Sequence, residues 1–173
     1  YKFIGVLSRF KKEVVEKKID ILVLLSGPEP NRTLLETKLI SEFKNDPRNI
    51  VFVLGIVAGK QKKWTVGNNT FYNYLLSNAL QKIINSSEII ISRSGYSSIM
   101  DFAILRKKVF FIPTENQPEQ VYLAKYLQEN GIAPFSTIAD FSKEKLLQVQ
   151  KMKGLKTEAT HLKANLFSLF ERK

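Results

Sequence analysis

The chain has no cysteine, one histidine, one tryptophan and two methionines in 173 residues. Without thiols it has neither a disulfide framework nor a thiolate metal site, a composition that suits a reducing compartment. The single His161 stands in the C-terminal stretch ATHLK and reads as a surface or packing residue rather than a base. No apolar run is long enough to cross a bilayer, and no charged segment followed by an apolar stretch and a small-residue cleavage site opens the sequence. Neither GxGxxG nor GxxxxGK[ST] occurs, which disfavours NAD-dependent and P-loop ATPase chemistry. The carboxylates are dispersed, with no glycosidase-like pair that can be placed. Internal repeats and low-complexity segments are absent as well.

Acidic residues are scarce beside basic ones: 16 against 27, a formal net charge of +11. The excess gathers in KKEVVEKK, GKQKKW, RKK and SKEKLLQVQKMKGLK. Such clusters can serve nucleic acid, an anionic membrane face or anionic small ligands, although mixed Lys and Glu on solvated faces accounts for most of them. They lack interleaved aromatics, and no helix-turn-helix, RRM or zinc pattern is legible, so no nucleic-acid partner is expected. At 44% hydrophobic, the chain can bury one substantial core. It begins on Tyr and enters the apolar segment YKFIGVLS at once, and we read it as a piece of a longer protein.

The order of patterns is strand, helix, strand, helix. IDILVLL (19–25) is a branched apolar run ending in SGPEPN, a strand buried on both faces followed by a turn. TLLETKLISEFK carries a helical stripe through Leu34, Leu35, Leu39, Ile40 and Phe43. NIVFVLG is a second buried strand, and GKQKKWTVGNN a loop or weak hairpin. TFYNYLL suits a strand, and SNALQKIINSS a short helix with Ser77 as its N-cap. EIIIS, YSSIMDFAILRK, VFFIP and PEQVYLAKYLQENG follow as strand, helix, strand and helix, the last closed by Gly131. FSTI reads as one more strand, with two terminal helices in FSKEKLLQVQKM and ATHLKANLFSLFERK. Strands without polar alternation, separated by helices, predict an α/β fold: a doubly wound, Rossmann-like, mostly parallel sheet with helices on both faces.

In such sheets ligands sit outside the carboxyl ends of the strands. There SRSGYSS (92–98) places five hydroxyls, an Arg and a Gly where packing asks for none of them. Gly95 is expected to allow tight turning and close backbone approach, and the first amides of the following helix lack intrahelical partners. With the hydroxyls of Ser94, Ser97 and Ser98 this makes a phosphate-type site, although a plain Ser cap with a Gly turn would explain the loop alone. SGPEPNR repeats the arrangement with Ser26, Gly27 and Arg32, giving a second candidate anion-facing loop. Asp101, on the first turns of the helix, can accept from a ribose diol or simply complement the helix dipole. PTENQPEQ offers Glu115, Asn116, Glu119 and Gln120 to sugar hydroxyls. Trp64 and Tyr96 are rings able to stack on a base or sugar, with core filling or loop anchoring the plainer use of the Trp.

The succession of strand, RSG with small hydroxyls, helical acid, FIP, polar loop, EQ, and a helix ending in NGIA resembles the C-terminal donor half of GT-B glycosyltransferases of the MurG-like family 28. The likeness is specific over residues 92–133 and elsewhere follows the order of elements. It implies one half of a GT-B fold, with residues 1–12 the end of an interdomain linker and 13–173 the donor-binding domain, the N-terminal acceptor domain lying outside this chain. By resemblance, GVLSR brings Arg9 beside a diphosphate, and Ser26 and Gly27 stand in a phosphate loop. That loop departs from the family's Gly-rich form: Pro28 and Pro30 remove two amides and Glu29 adds a charge.

By the same resemblance Ser94, Gly95, Tyr96, Ser97 and Ser98 hold donor phosphates, and Asp101 holds the ribose where the family more often has Glu. Leu75, Leu76 and Ser77 present backbone to uracil, and Glu119 and Gln120 meet the donor sugar. The implied activity is an inverting transfer of a hexosyl group from a UDP-sugar to an acceptor that can be lipid-linked. It needs no cofactor and no metal, and takes place in the cytoplasm or at the inner face of the plasma membrane, with peripheral membrane contact through the basic surface. The catalytic base belongs to the N-terminal half, so this chain alone is expected to be inactive. A nucleotide-sugar hydrolase or epimerase of the same fold, and a non-enzymatic donor-binding subunit with a separate partner chain, are the alternatives.

Overall fold

Two buried strands run side by side at the centre, β1 (Ile19–Leu24) and β5 (Ser87–Ser92), and the rest of the sheet is built outward from them. The computed structural model describes residues 6 and 8–157. The remaining strands are β2 (Ile50–Val53), β3 (Lys63–Val66), β4 (Asn69–Tyr72) and β6 (Lys108–Phe111), in the sheet order β3-β4-β2-β1-β5-β6. Every pairing is parallel except β3 with β4. The chain builds leftward from β1 through β2 to β4, then returns to the right of β1 with β5 and β6, so strand order reverses between β1 and β5. The register pairs Leu24 with both Val53 and Ser92, and Ser92 with Phe111, which brings the carboxyl ends of these four strands level.

Apolar residues fill both faces because alternate side chains leave a strand on opposite sides. One cluster takes Leu22, Ile90, Val109 and Phe111 together with Leu80, Ile84, Phe102 and Leu127. These last four come from α2 (Ser77–Ser86), α3 (Tyr96–Ile104) and α4 (Pro118–Glu129). The other cluster takes Ile21, Val23, Phe52, Ile91 and Phe110 with Leu35, Leu39 and Phe43 of the α1 region (α1, Asn31–Glu42) and with Phe141, Leu146 and Val149. Helices therefore cover both faces, as the unalternated strands require.

Three sequence expectations are corrected. FSTI is not a strand: Phe135 makes one bridge to Phe111, after which the Thr137 hydroxyl and Asp140 close a local turn. FSKEKLLQVQKM is a 3₁₀ turn (Lys143–Leu147) followed by the single-turn α5 (Gln148–Lys151), not one helix. Ser77 is the first helical residue rather than the cap; Leu76 stands at the cap without a side-chain bond, while Leu75 packs against the core. The loop or weak hairpin expected in GKQKKWTVGNN is a hairpin at the sheet edge, with Trp64 of β3 stacked on Phe71 of β4 at 5.5 Å. The helix expected in ATHLKANLFSLFERK, with His161, lies outside the described residues.

At the opposite end of the sheet from the strand carboxyl ends, two lysines converge. Lys107, 4% exposed, donates from Nζ to the carbonyls of Asn85 (2.9 Å) and Ser87 (3.0 Å). Lys17 donates to the same two carbonyls. Burial, reinforced by Lys17 and then Lys12, pushes the Lys107 ammonium down to about 7. A lysine with a folded pKa below its unfolded value binds fewer protons when folded, so its penalty is greatest below pH 7 and fades as pH rises toward the unfolded value of 10.5. Thermal melts should therefore show Lys107→Met neutral or stabilising at pH 6, since Lys17 still serves both carbonyls, with that advantage shrinking by pH 9.

Candidate functional site

The level carboxyl ends of β1 and β5 open on a cavity of about 710 Å³. Its walls are Leu24, Leu25 and Ser26 from the end of β1, Ser97, Ser98, Asp101 and Phe102 from α3, Leu80 and Ile84 from α2, and Ser8, Arg9 and Phe10 from the segment before β1. This is the crevice at which the strand order reverses, the place where open α/β sheets receive ligands. Hydroxyls, a carboxylate and a guanidinium share its wall with aliphatic and aromatic side chains.

α3 begins at the cavity with nothing of its own to satisfy it. Gly95 is the N-cap, no side chain caps the helix, and its first turn has no acidic residue. The leading amides thus lack intrahelical acceptors and carry the positive end of the helix dipole. Gly95 adopts φ −72°, open to any residue, and a Cβ there would meet nothing within 4 Å. Tight turning therefore does not explain this glycine; its effect is to leave clear space over the helix start.

The second candidate anion loop is organised differently. Glu29 accepts from the amide of Thr33 at 3.1 Å and from the Arg32 guanidinium, and its pKa is lowered, most by the Thr33 side chain and next by Arg32. Arg32 also meets Glu36 at 2.5 Å. The chain thus supplies its own anion to the start of α1, and Arg32, read from sequence as anion-facing, is committed to two carboxylates. Ser26 still faces the cavity, while Gly27 takes φ +105°, a conformation that favours glycine.

The other sequence candidates divide. Arg9 lines the cavity, its guanidinium 4.8 Å from the ring centroid of Phe10. Asp101 also lines it and accepts from the Ser8 hydroxyl at 2.5 Å. Tyr96 is exposed at the head of α3. Ser94 is fully buried and donates to the Gln120 carbonyl at 2.7 Å, so its hydroxyl joins two loops instead of facing the cavity. The Gln120 side chain accepts from the Thr114 amide and bonds Gln117. Glu119 and Gln120 border a separate recess of about 300 Å³ with Gly95, Asn116, Gln117 and Pro118. Leu75, Leu76 and Ser77 follow β4 at the same sheet edge but are outside the cavity wall. Trp64 sits in a groove between α1 and the hairpin, away from the crevice. Glu115 and Asn116 border a third hollow, with Arg93.

Sequence reasoning missed two residues. Arg93 is 2% exposed and donates to the carbonyls of Ile112 and Pro113 (both 2.9 Å) and Asn31 (2.8 Å), tying the ends of β5 and β6 to the start of α1. Burial lowers its pKa, against the pull of Glu115. The signal was available: an arginine directly after EIIIS must find acceptors inside, and strand-end carbonyls are the nearest. Ser8 was passed over for its neighbour Arg9. No group of three or more His, Cys, Asp and Glu side chains able to hold a metal occurs among the described residues.

A doubly wound sheet with an open crevice at its switch point, where an uncapped helix start, hydroxyls and an acid meet, defines the class as α/β. The fold is that of known glycosyltransferases: the glycotransferase of kitacinnamycin superposes with a TM-score of 0.60 at 18% identity, over 86% of this chain and 39% of that one. MurG of Acinetobacter baumannii superposes at 0.55 and 16% identity, over 80% and 44% of the two chains. Residues 30–167 match the glycosyltransferase family 28 C-terminal domain, and the chain belongs to that family. It is 28% identical over 149 residues to the UDP-N-acetylglucosamine--N-acetylmuramyl-(pentapeptide) pyrophosphoryl-undecaprenol N-acetylglucosamine transferase of Sulfurihydrogenibium sp. (strain YO3AOP1). That match takes in 82% of this chain and 41% of the relative, so the chain spans about two-fifths of that protein's length.

Proposed function

We propose that this chain is the donor-binding half of an inverting glycosyltransferase that uses a UDP-sugar, the acceptor and catalytic base being supplied by an N-terminal domain. One observation carries the reading: the uncapped start of α3, the hydroxyls of Ser97 and Ser98, and Asp101 one turn on share a single cavity with Ser26 and Arg9. Amides and the dipole at α3, with Arg9, meet the diphosphate and ease its departure as a leaving group, a role that asks for no metal. Asp101 takes the ribose. Glu119 borders the separate recess beside Gly95, which we assign to the sugar. Because Glu29 already occupies the start of α1, the diphosphate is held chiefly at one helix end. The relative's name supports UDP-N-acetylglucosamine as the first donor to try and a lipid-linked acceptor, and the basic surface suits contact with the inner face of the plasma membrane.

The test is a thermal-shift titration of the full-length protein with UDP and UDP-N-acetylglucosamine. Stabilisation by both is expected, and Ser98→Ala or Asp101→Ala should each weaken UDP binding about tenfold, the loss of one charged hydrogen bond. No response to any uridine nucleotide would overturn the reading.

A further inference from the structure

The hydroxyl of Ser8 reaches Asp101 across 93 residues of sequence, donating to Oδ1 at 2.5 Å. Ser8 Oγ in turn accepts the Phe10 amide at 3.0 Å. Its place is fixed from behind: Phe10 is buried in the core, Lys11 N donates to Gln81 Oε1 at 2.9 Å, and Asn85 both donates to the Lys11 carbonyl and accepts from the Glu13 amide. Ser8 therefore belongs to a strap fastened along α2, and it delivers a polarised hydroxyl to the carboxylate at the cavity wall. Both residues line that cavity.

A serine oxygen has two lone pairs and one proton. Here the proton goes to Asp101 and one lone pair to Phe10, which leaves one acceptor site on Ser8 beside the second carboxylate oxygen of Asp101. Two neighbouring acceptors match the two hydroxyl donors of a vicinal diol. Holding Oδ1 also restricts the rotation of a short carboxylate that would otherwise have to be ordered when ligand binds.

We propose that Ser8 is a positioning and specificity-determining residue of the ribose site, setting the Asp101 carboxylate and accepting from the second hydroxyl of the diol. The inference rests on the reading of the cavity as a nucleoside diphosphate site. It places part of the donor pocket on the strap preceding β1, so that selection of the ribose depends on the strap being docked along α2.

The experiment measures Kd for UDP and for 2′,3′-dideoxy-UDP by titration calorimetry on the full-length protein and on Ser8→Ala, Ser8→Thr and Asp101→Ala. Wild type should prefer UDP by about tenfold or more, from two hydrogen bonds to the diol. Asp101→Ala should remove most of the preference, Ser8→Ala should cut it severalfold through weaker UDP binding alone, and Ser8→Thr should restore it. If Ser8→Ala weakens both ligands equally, or neither, while wild type keeps its Asp101-dependent preference, Ser8 does not read the ribose and the inference falls alone. If wild type binds both ligands alike, or binds no nucleotide, the assignment of Asp101 or of the cavity fails first and takes the inference with it.

Discussion

Arg93→Ala should lower the melting temperature by about 10 °C, from a loss of about 3–5 kcal/mol, and should impair nucleotide binding with it. The wild-type guanidinium is buried with three carbonyls as acceptors and no carboxylate in bonding contact. Removing it leaves the carbonyls of Ile112 and Pro113 without this donor, cuts the tie to the Asn31 carbonyl, and opens a hole where one of the largest fully buried side chains stood. Each orphaned carbonyl then carries its own desolvation penalty, and the cavity adds to it. Those carbonyls are the ends of β6 and the start of α1, so the loops that frame the crevice lose their common anchor. Lysine should not rescue, since a single ammonium cannot span acceptors on two sides as the planar fork does. Calorimetric melts of wild type, Arg93→Ala and Arg93→Lys decide it: two variants within a few degrees of wild type would show that the buried arginine is not the anchor described.

Gly55→Ala should destabilise by about 2–4 kcal/mol, far more than the same change at Gly27. Both glycines have positive φ, +72° at Gly55 and +105° at Gly27, so both substitutions carry backbone strain. They differ in what surrounds them. A Cβ at Gly55 would lie 2.6 Å from the backbone oxygen of Leu25, whereas at Gly27 it would meet nothing within 4 Å. Leu25 cannot retreat, because its amide is bonded to the Val53 carbonyl at 2.9 Å and its side chain is in the core. Relief must come from separating β1 and β2 at their carboxyl ends, which moves Leu25 and Ser26 in the cavity wall. Urea denaturation of the two variants side by side gives the comparison; equal losses would mean that strain alone, and not the close approach of β2 to β1, makes Gly55 necessary.

Much of the fold was legible because burial on both faces leaves a plain mark. IDILVLL, NIVFVLG, EIIIS and VFFIP carry no polar alternation, and each became a parallel strand, the first three inside the sheet and the last at its edge. The SRSGYSS loop was legible for the converse reason: hydroxyls at the end of a core strand have no packing use, so they point to a ligand or a cap. What escaped were pairings between distant polar groups. Nothing in the period of the sequence says that Ser8 will meet Asp101, that Ser94 will hold the Gln120 carbonyl, or that Arg32 will be taken by Glu29 and Glu36. The reading of Gly95 erred for a related reason, since glycine before a helix commonly signals strained backbone and here leaves only open space. FSTI has strand-forming residues, but a strand needs a partner edge, and one bridge to Phe111 is all that the chain makes there.

The most direct test is a crystal structure of the full-length protein with UDP bound. The account predicts the diphosphate against the leading amides of α3 at Tyr96, Ser97 and Ser98, with the ribose at Asp101. A nucleotide lying instead in the groove between α1 and the β3–β4 hairpin, or at the start of α1 with Glu29 displaced, would contradict it.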